Sequence, residues 1–187
     1  MKLVVFAHVP PPFHGQSFMV QQLLDELQED NSEVLDVFHI DARLSKDIDD
    51  IASVGFRKFF LLFSYCMRAI WLRVMKGATH FYYVPAPGLR SAVYRDWIVM
   101  LLCRPFYRNI IYHYQAAGVG AWLETKAYNW ERWVSQFLLG RASLSIVLGD
   151  YYHEDAGKLC PKKIITIPNC CPDPCPDYEE RIKPKQL

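Results

Sequence analysis

Val4-Val5-Phe6-Ala7-His8-Val9-Pro10-Pro11-Pro12-Phe13-His14-Gly15-Gln16-Ser17 reads as an apolar strand, a stiff proline loop, a glycine and a helix start, in that order. Lys2 to Ala7 is nearly continuous in apolar residues, as expected of a strand covered on both faces. Pro10 to Pro12 cannot extend a central strand, because proline has no N–H to give the ladder. From Ser17 onward, Val20, Leu23, Leu24 and Leu27 recur at helical spacing, with Ser17 as the expected N-cap. In an α/β protein, such a strand-to-helix junction is a natural place to hold a phosphorylated ligand.

The rest of the chain repeats the alternation. Val34 to Ile40 reads as a second strand, and Asp41 to Asp50 as a polar loop. Phe56 to Lys76 reads as a long helix in which Arg57, Lys58, Arg68, Arg73 and Lys76 are set among Phe, Leu, Trp and Met. Thr79 to Val84, Asn109 to Tyr114, Leu144 to Leu148 and Lys163 to Ile167 read as further strands. The helices between them are expected over Ser91 to Cys103, Leu123 to Leu139 and Asp150 to Leu159. Strict alternation without hairpin signals predicts a parallel sheet with helices on both faces. From Pro172 on, prolines and charges take over, so the domain is expected to end near residue 170, with 171–187 as a linker or tail.

The totals narrow the function classes. A chain of 187 residues, 51% hydrophobic and 22% charged, is globular and long enough for one domain with a substantial core. A net charge of +1 gives no general electrostatic case for nucleic acid. The N-terminus lacks the cleavage signal of a secretory peptide, and no apolar run reaches the ~20 residues needed to span a bilayer. A cytoplasmic protein with free thiols is therefore expected. Cys170, Cys171 and Cys175, with Cys160 upstream, lack the paired C-x2-C spacing of a structural zinc site, so no metal is expected.

In an open parallel sheet, ligands bind beyond the carboxyl ends of the strands, near the point where strand order reverses. The first loop is the leading candidate. Gly15 lets a ligand approach the backbone, and the amides of Gln16, Ser17 and Phe18 open a helix whose dipole suits a diphosphate. No G-x-G-x-x-G or Walker A pattern is present, which disfavours a dinucleotide or P-loop site. His113, at the end of a hydrophobic strand beside Tyr114 and Gln115, reads either as a satisfied core histidine or as a contact to a polar ligand. His8 and His14 lie on the first loop and are placed to share that cleft. Asp150 is a candidate acid or simply a helix cap. The helix over Phe56 to Lys76 suits docking on an anionic membrane surface. The preferred reading is a packing helix with its cations snorkelled to solvent, and the apolar run from Phe59 to Met67 points to burial in this domain or against something else.

Taken in order, these residues resemble the N-terminal domain of family 4 glycosyltransferases of the GT-B fold. The Pro-Pro-Pro-Phe-His-Gly run resembles the family's first loop, and Ile110-Ile111-Tyr112-His113 the strand ending in its sugar-contacting histidine. Ala142 to Gly149, followed by Lys163 to Asn169, resembles the end of that domain. Gln16 stands where the family usually has a second glycine, and Cys170 where a glycine follows Asn169.

The resemblance implies a Rossmann-like sheet of about six strands over residues 1–170, one half of a GT-B fold. It implies retaining, metal-independent transfer from a nucleotide-sugar donor to a saccharide or lipid-linked acceptor, with no cofactor. His113 would act on the donor sugar, and His14, Gly15, Gln16, Ser17, Gln115 and Asn169 would line the substrate site. The donor nucleotide would be held by a second domain carrying an E-x7-E motif, so residues 1–187 alone are expected not to turn over. Peripheral contact at the inner face of the membrane through Phe56 to Lys76 is a further expectation. Two other classes fit the same residues: a non-catalytic module binding a glycan or partner chain, and an unrelated Rossmann-like oxidoreductase.

Overall fold

The computed structural model describes residues 1–13, 15–29, 35–44 and 56–169. His14, Cys170, Cys171, Cys175 and the expected tail lie outside the described residues. Strands β1 (Lys2–Ala7), β2 (Asp36–Asp41), β3 (His80–Tyr83), β4 (Asn109–Tyr114), β5 (Leu144–Val147) and β6 (Ile164–Thr166) form one sheet. Its order is β2-β1-β3-β4-β5-β6, and every neighbouring pair is parallel. The chain steps from β1 outward to β2, then returns past β1 to β3. The direction of winding therefore reverses between β1 and β3, which makes their shared carboxyl end the topological switch point.

That reversal distributes the helices unevenly. Helix α1 (Gly15–Glu29) lies on one face, where Val20 and Leu24 pack with Leu3, Val5, Ala7 and Tyr82. Helices α2 (Phe56–Lys76), α3 (Arg90–Cys103), α4 (Val119–Thr125), α5 (Asn129–Leu138) and α6 (Tyr152–Gly157) lie on the other. There Cys66, Ala69, Val93, Val99, Trp122 and Ala156 pack with Val4, Phe6, Phe81, Tyr83, Tyr112 and Val147. Right-handed crossovers require this arrangement: reversing the direction of travel puts the next helix on the opposite face. Helices do occupy both faces, but among the described elements α1 alone covers its side.

The consequence shows in the strands. β1 is buried on both faces from Leu3 to Ala7. In β4 burial alternates: Ile110, Tyr112 and Tyr114 are buried under the helices, while Ile111 and His113 are half-buried on the α1 side. Ile146 of β5, opposite His113 in the ladder, is likewise half-buried.

Three local expectations need correction. Ser17 is not an N-cap, because α1 already begins at Gly15; its buried hydroxyl instead donates to the carbonyl of Pro12 at 2.8 Å, bracing the proline loop. The single helix expected over Leu123 to Leu139 is two helices. Their break falls at Lys126 to Tyr128, where the Glu131 carboxylate accepts the Tyr128 amide at 2.7 Å and so opens α5. Asp150 caps nothing with its side chain, which is exposed and accepts the Thr166 hydroxyl at 2.9 Å.

Helix α3 is tied to its neighbours by buried polar groups. Asp96 accepts the Tyr83 hydroxyl at 2.6 Å and the Ala86 amide at 2.7 Å, with Arg95 at 2.9 Å. Glu131, fully buried, accepts the Tyr94 hydroxyl and pairs with Arg90 at 2.9 Å. Burial alone would raise the Glu131 pKa; the hydrogen bonds from Tyr94, the Tyr128 amide and Arg90 outweigh it and hold the group below the usual range.

Candidate functional site

The carboxyl edge of the sheet brings several of the sequence-selected residues together. His113 stands at the end of β4, on the same side of the sheet as α1. Tyr82 is diagonal to it on β3, since Tyr82 pairs with Ile111. The Tyr82 hydroxyl lies 2.5 Å from His113 Nδ1. His113 Nε2 lies 3.0 Å from the Gln115 amide nitrogen, and Gln115 Oε1 accepts from Asn169 Nδ2 at 3.1 Å. Three residues singled out separately, His113, Gln115 and Asn169, are thus consecutive members of one hydrogen-bonded chain running from the exposed edge at Asn169 to the buried Tyr82. Nothing in the sequence marks Tyr82 as the fourth; its role depends on strand order and on the diagonal reach of a long side chain.

The chain has two self-consistent senses. If Asn169 donates to Gln115 and Gln115 to His113 Nε2, the imidazole proton is on Nδ1 and is donated to the Tyr82 oxygen. With both amides turned over, Tyr82 donates to Nδ1 and the proton on Nε2 goes to Gln115. In either sense both ring nitrogens are occupied, so a ligand reaches Nε2 by displacing Gln115. Burial lowers the His113 pKa to about 4 and raises that of Tyr82. At neutral pH the ring is therefore uncharged, a hydrogen-bonding group rather than a cation or a base poised near 7.

Gly15 begins α1 on the same side and at the same edge. A Cβ built on it would meet nothing within 4 Å, and its backbone does not adopt the left-handed region that favours glycine. Among the described residues, the fold therefore supplies no internal reason for glycine there. Gln16 is half-buried, whereas Ser17 is wholly buried with its hydroxyl on Pro12. The proline loop is held by β2 and the residues just after it: Arg43 donates to Asp41 at 2.7 Å and to the Pro10 carbonyl at 3.3 Å, and His39 Nε2 lies 2.9 Å from the Ala7 carbonyl. The Pro10–Pro11 and Pro11–Pro12 peptide bonds are both cis.

The loops after β3 and β4 close against each other, backbone to backbone. A Cβ on Gly88 would stand 2.0 Å from the Gly118 carbonyl oxygen, so this contact requires glycine. Beside it lies a hollow of about 280 Å³ lined by Pro87, Gly88, Ala117, Gly118, Trp122 and Lys126. The start of α4 is not open to a ligand anion, because Asp155 already accepts the Gly118 amide at 3.1 Å and the Ala121 amide at 2.9 Å. Among the described residues no cluster of His, Cys, Asp or Glu is grouped to hold a metal ion.

No protein-family model matches the chain, and no curated protein matches it. The class defined by fold and topology is a Rossmann-like, six-stranded parallel α/β domain.

Proposed function

We propose that this domain is the acceptor-side half of a retaining nucleotide-sugar glycosyltransferase, working in the cytoplasm with a second, donor-binding domain outside residues 1–187. The observation that supports the reading is that the His113–Gln115–Asn169 chain stands at the same carboxyl edge, and on the same side of the sheet, as the helix start at Gly15 beside the switch point. A neutral imidazole with a fixed orientation suits a hydrogen bond to a sugar hydroxyl. An unobstructed glycine at a helix start suits close approach of a diphosphate. The hollow between the β3 and β4 loops offers apolar walls and one cation, Lys126, to an acceptor. Stabilisation of the leaving diphosphate would be the main catalytic term, shared between α1 and the second domain.

The experiment is titration of the isotopically labelled chain with nucleoside-diphosphate sugars, followed at the Gly15 amide and the His113 ring by NMR. Shifts at both, with no sugar transfer by residues 1–187 alone, are the expected result. A response to NAD(H) and none to any nucleotide-sugar would overturn the proposal in favour of an oxidoreductase. The half-covered α1 side of β4 and β5 favours a second reading, a non-catalytic module that lays this surface against a partner chain. Saturable binding of a glycan or partner without any nucleotide-sugar response would select it.

A further inference from the structure

Helix α2 is apolar on two opposite sides, and the fold uses one of them. Leu62, Cys66, Ala69 and Leu72 are buried against the sheet. Facing away are Phe56, Phe60, Phe63, Met67, Trp71 and Val74, spaced to form one stripe along the helix. Phe60 is 64% exposed, Trp71 52% and Val74 67%. The stripe is about 27 Å long at 1.5 Å per residue. Packing within the domain therefore does not account for the apolar run of this helix. Across α3, helix α5 adds a second exposed apolar surface. Trp133 and Phe137 stack with ring centroids 5.7 Å apart, and Trp130 joins Trp97 and Tyr94 of α3. All three helices pack on the same face of the sheet, so both apolar surfaces stand on the outer side of this helical layer. Exposed apolar area on this scale marks an interaction surface.

The charge on α2 says what covers it. Its 21 residues include Arg57, Lys58, Arg68, Arg73 and Lys76 and no acid. Arg57 and Arg68 are exposed, fall on the same flank of the stripe at helical spacing, and have no carboxylate partner among the described residues. A stripe of Phe and Trp flanked by exposed cations is the pattern of a helix lying in the plane of an anionic lipid surface, its rings among the acyl chains and its cations at the phosphates. Spanning is not an alternative, because no described helix is long and apolar enough to cross a membrane. We infer that the outer face of α2, with the aromatic surface of α5 on the far side of α3, docks this domain on an anionic bilayer. The inference stands independently of the proposed reaction.

Co-sedimentation of the full 187-residue chain with lipid vesicles tests it. Binding is expected to vesicles of phosphatidylcholine with phosphatidylglycerol, to fall with added salt, and to be weak on phosphatidylcholine alone. Arg57→Gln with Arg68→Gln is expected to lower partitioning about 30-fold, from roughly fivefold per basic residue near an anionic surface. Phe60→Ser with Trp71→Ser is expected to abolish binding. Because these side chains are exposed, the thermal midpoint of each variant should match that of the parent. Absence of binding to the anionic vesicles, or equal binding to both compositions, would overturn the inference. So would self-association that is lost in the Phe60→Ser, Trp71→Ser variant without any vesicle binding, since that would assign the face to a second copy of this chain.

Discussion

The Tyr82 hydroxyl and His113 Nδ1, 2.5 Å apart across β3 and β4, form the inner end of a hydrogen-bonded chain whose outer end is Asn169. This contact fixes the ring in one orientation, and burial keeps the ring uncharged at neutral pH. Tyr82→Phe leaves a half-buried ring nitrogen without its partner and should lower stability by about 1–2 kcal/mol. It should also make the ring exchange between tautomers, which imidazole nitrogen NMR would show. An unchanged ring spectrum would mean that Gln115 alone orients the histidine.

The same burial sets a pH dependence. The folded pKa of His113, about 4, lies below the value of 6.5 expected of a free histidine. Between those values the unfolded chain binds more protons, so stability rises with pH across the window. The contribution is complete above about pH 6.5 and is lost progressively as pH falls toward 4, amounting to about 3 kcal/mol at ~1.4 kcal/mol per pKa unit. Denaturant midpoints measured from pH 4 to pH 7 should show this slope in the parent and a flatter profile in His113→Asn.

Gly15 and Gly88 predict opposite responses to the same substitution. Gly15→Ala meets open space and should leave stability unchanged or raise it by up to about 1 kcal/mol, while weakening any ligand that approaches the backbone there. Gly88→Ala drives a methyl into the Gly118 carbonyl and should destabilise the fold by about 1–3 kcal/mol as the two loops part. Calorimetric melting of the two variants side by side distinguishes a glycine needed by the fold from one the fold does not need.

Asp96 is 1% exposed and serves Tyr83, the Ala86 amide and Arg95 together. Asp96→Ala strands two buried donors and should cost about 3 kcal/mol, a fall of roughly 6–12 °C in Tm for a chain of this size. Asp96→Asn, which keeps one acceptor, should fall between that variant and the parent.

The parallel fold was legible because short apolar runs alternate with longer helical stretches, and several of those runs stop at Pro or Gly, as before Pro10, Pro85, Gly149 and Pro168. What lay beyond the sequence were effects of neighbours. Helices were expected on both faces of the sheet, yet the order of winding leaves Ile111 and His113 with partial cover. The helix ahead of β5 divides because Glu131, three positions into its second half, takes the Tyr128 amide, a cap with no Ser, Thr, Asn or Asp to announce it. Of the site, His113, Gln115 and Asn169 were visible singly as strand-end residues. Their linkage, and Tyr82 behind them, follows from the sheet order.

The layering of the sheet also governs time. β1 has a strand on each edge and cover on both faces, so its amides should be among the last to exchange with solvent. β6 is a three-residue strand at the opposite edge, paired on one side to β5, and Asn169 hangs three residues beyond its end. Breathing therefore starts where the hydrogen-bonded chain is anchored. Loosening of β6 would free Asn169 from Gln115, leaving the Gln115–His113 hydrogen bond as the remaining cover of the imidazole. On the proposed reading, a ligand's access to the histidine would then follow the fraying of an edge strand and not the ring itself.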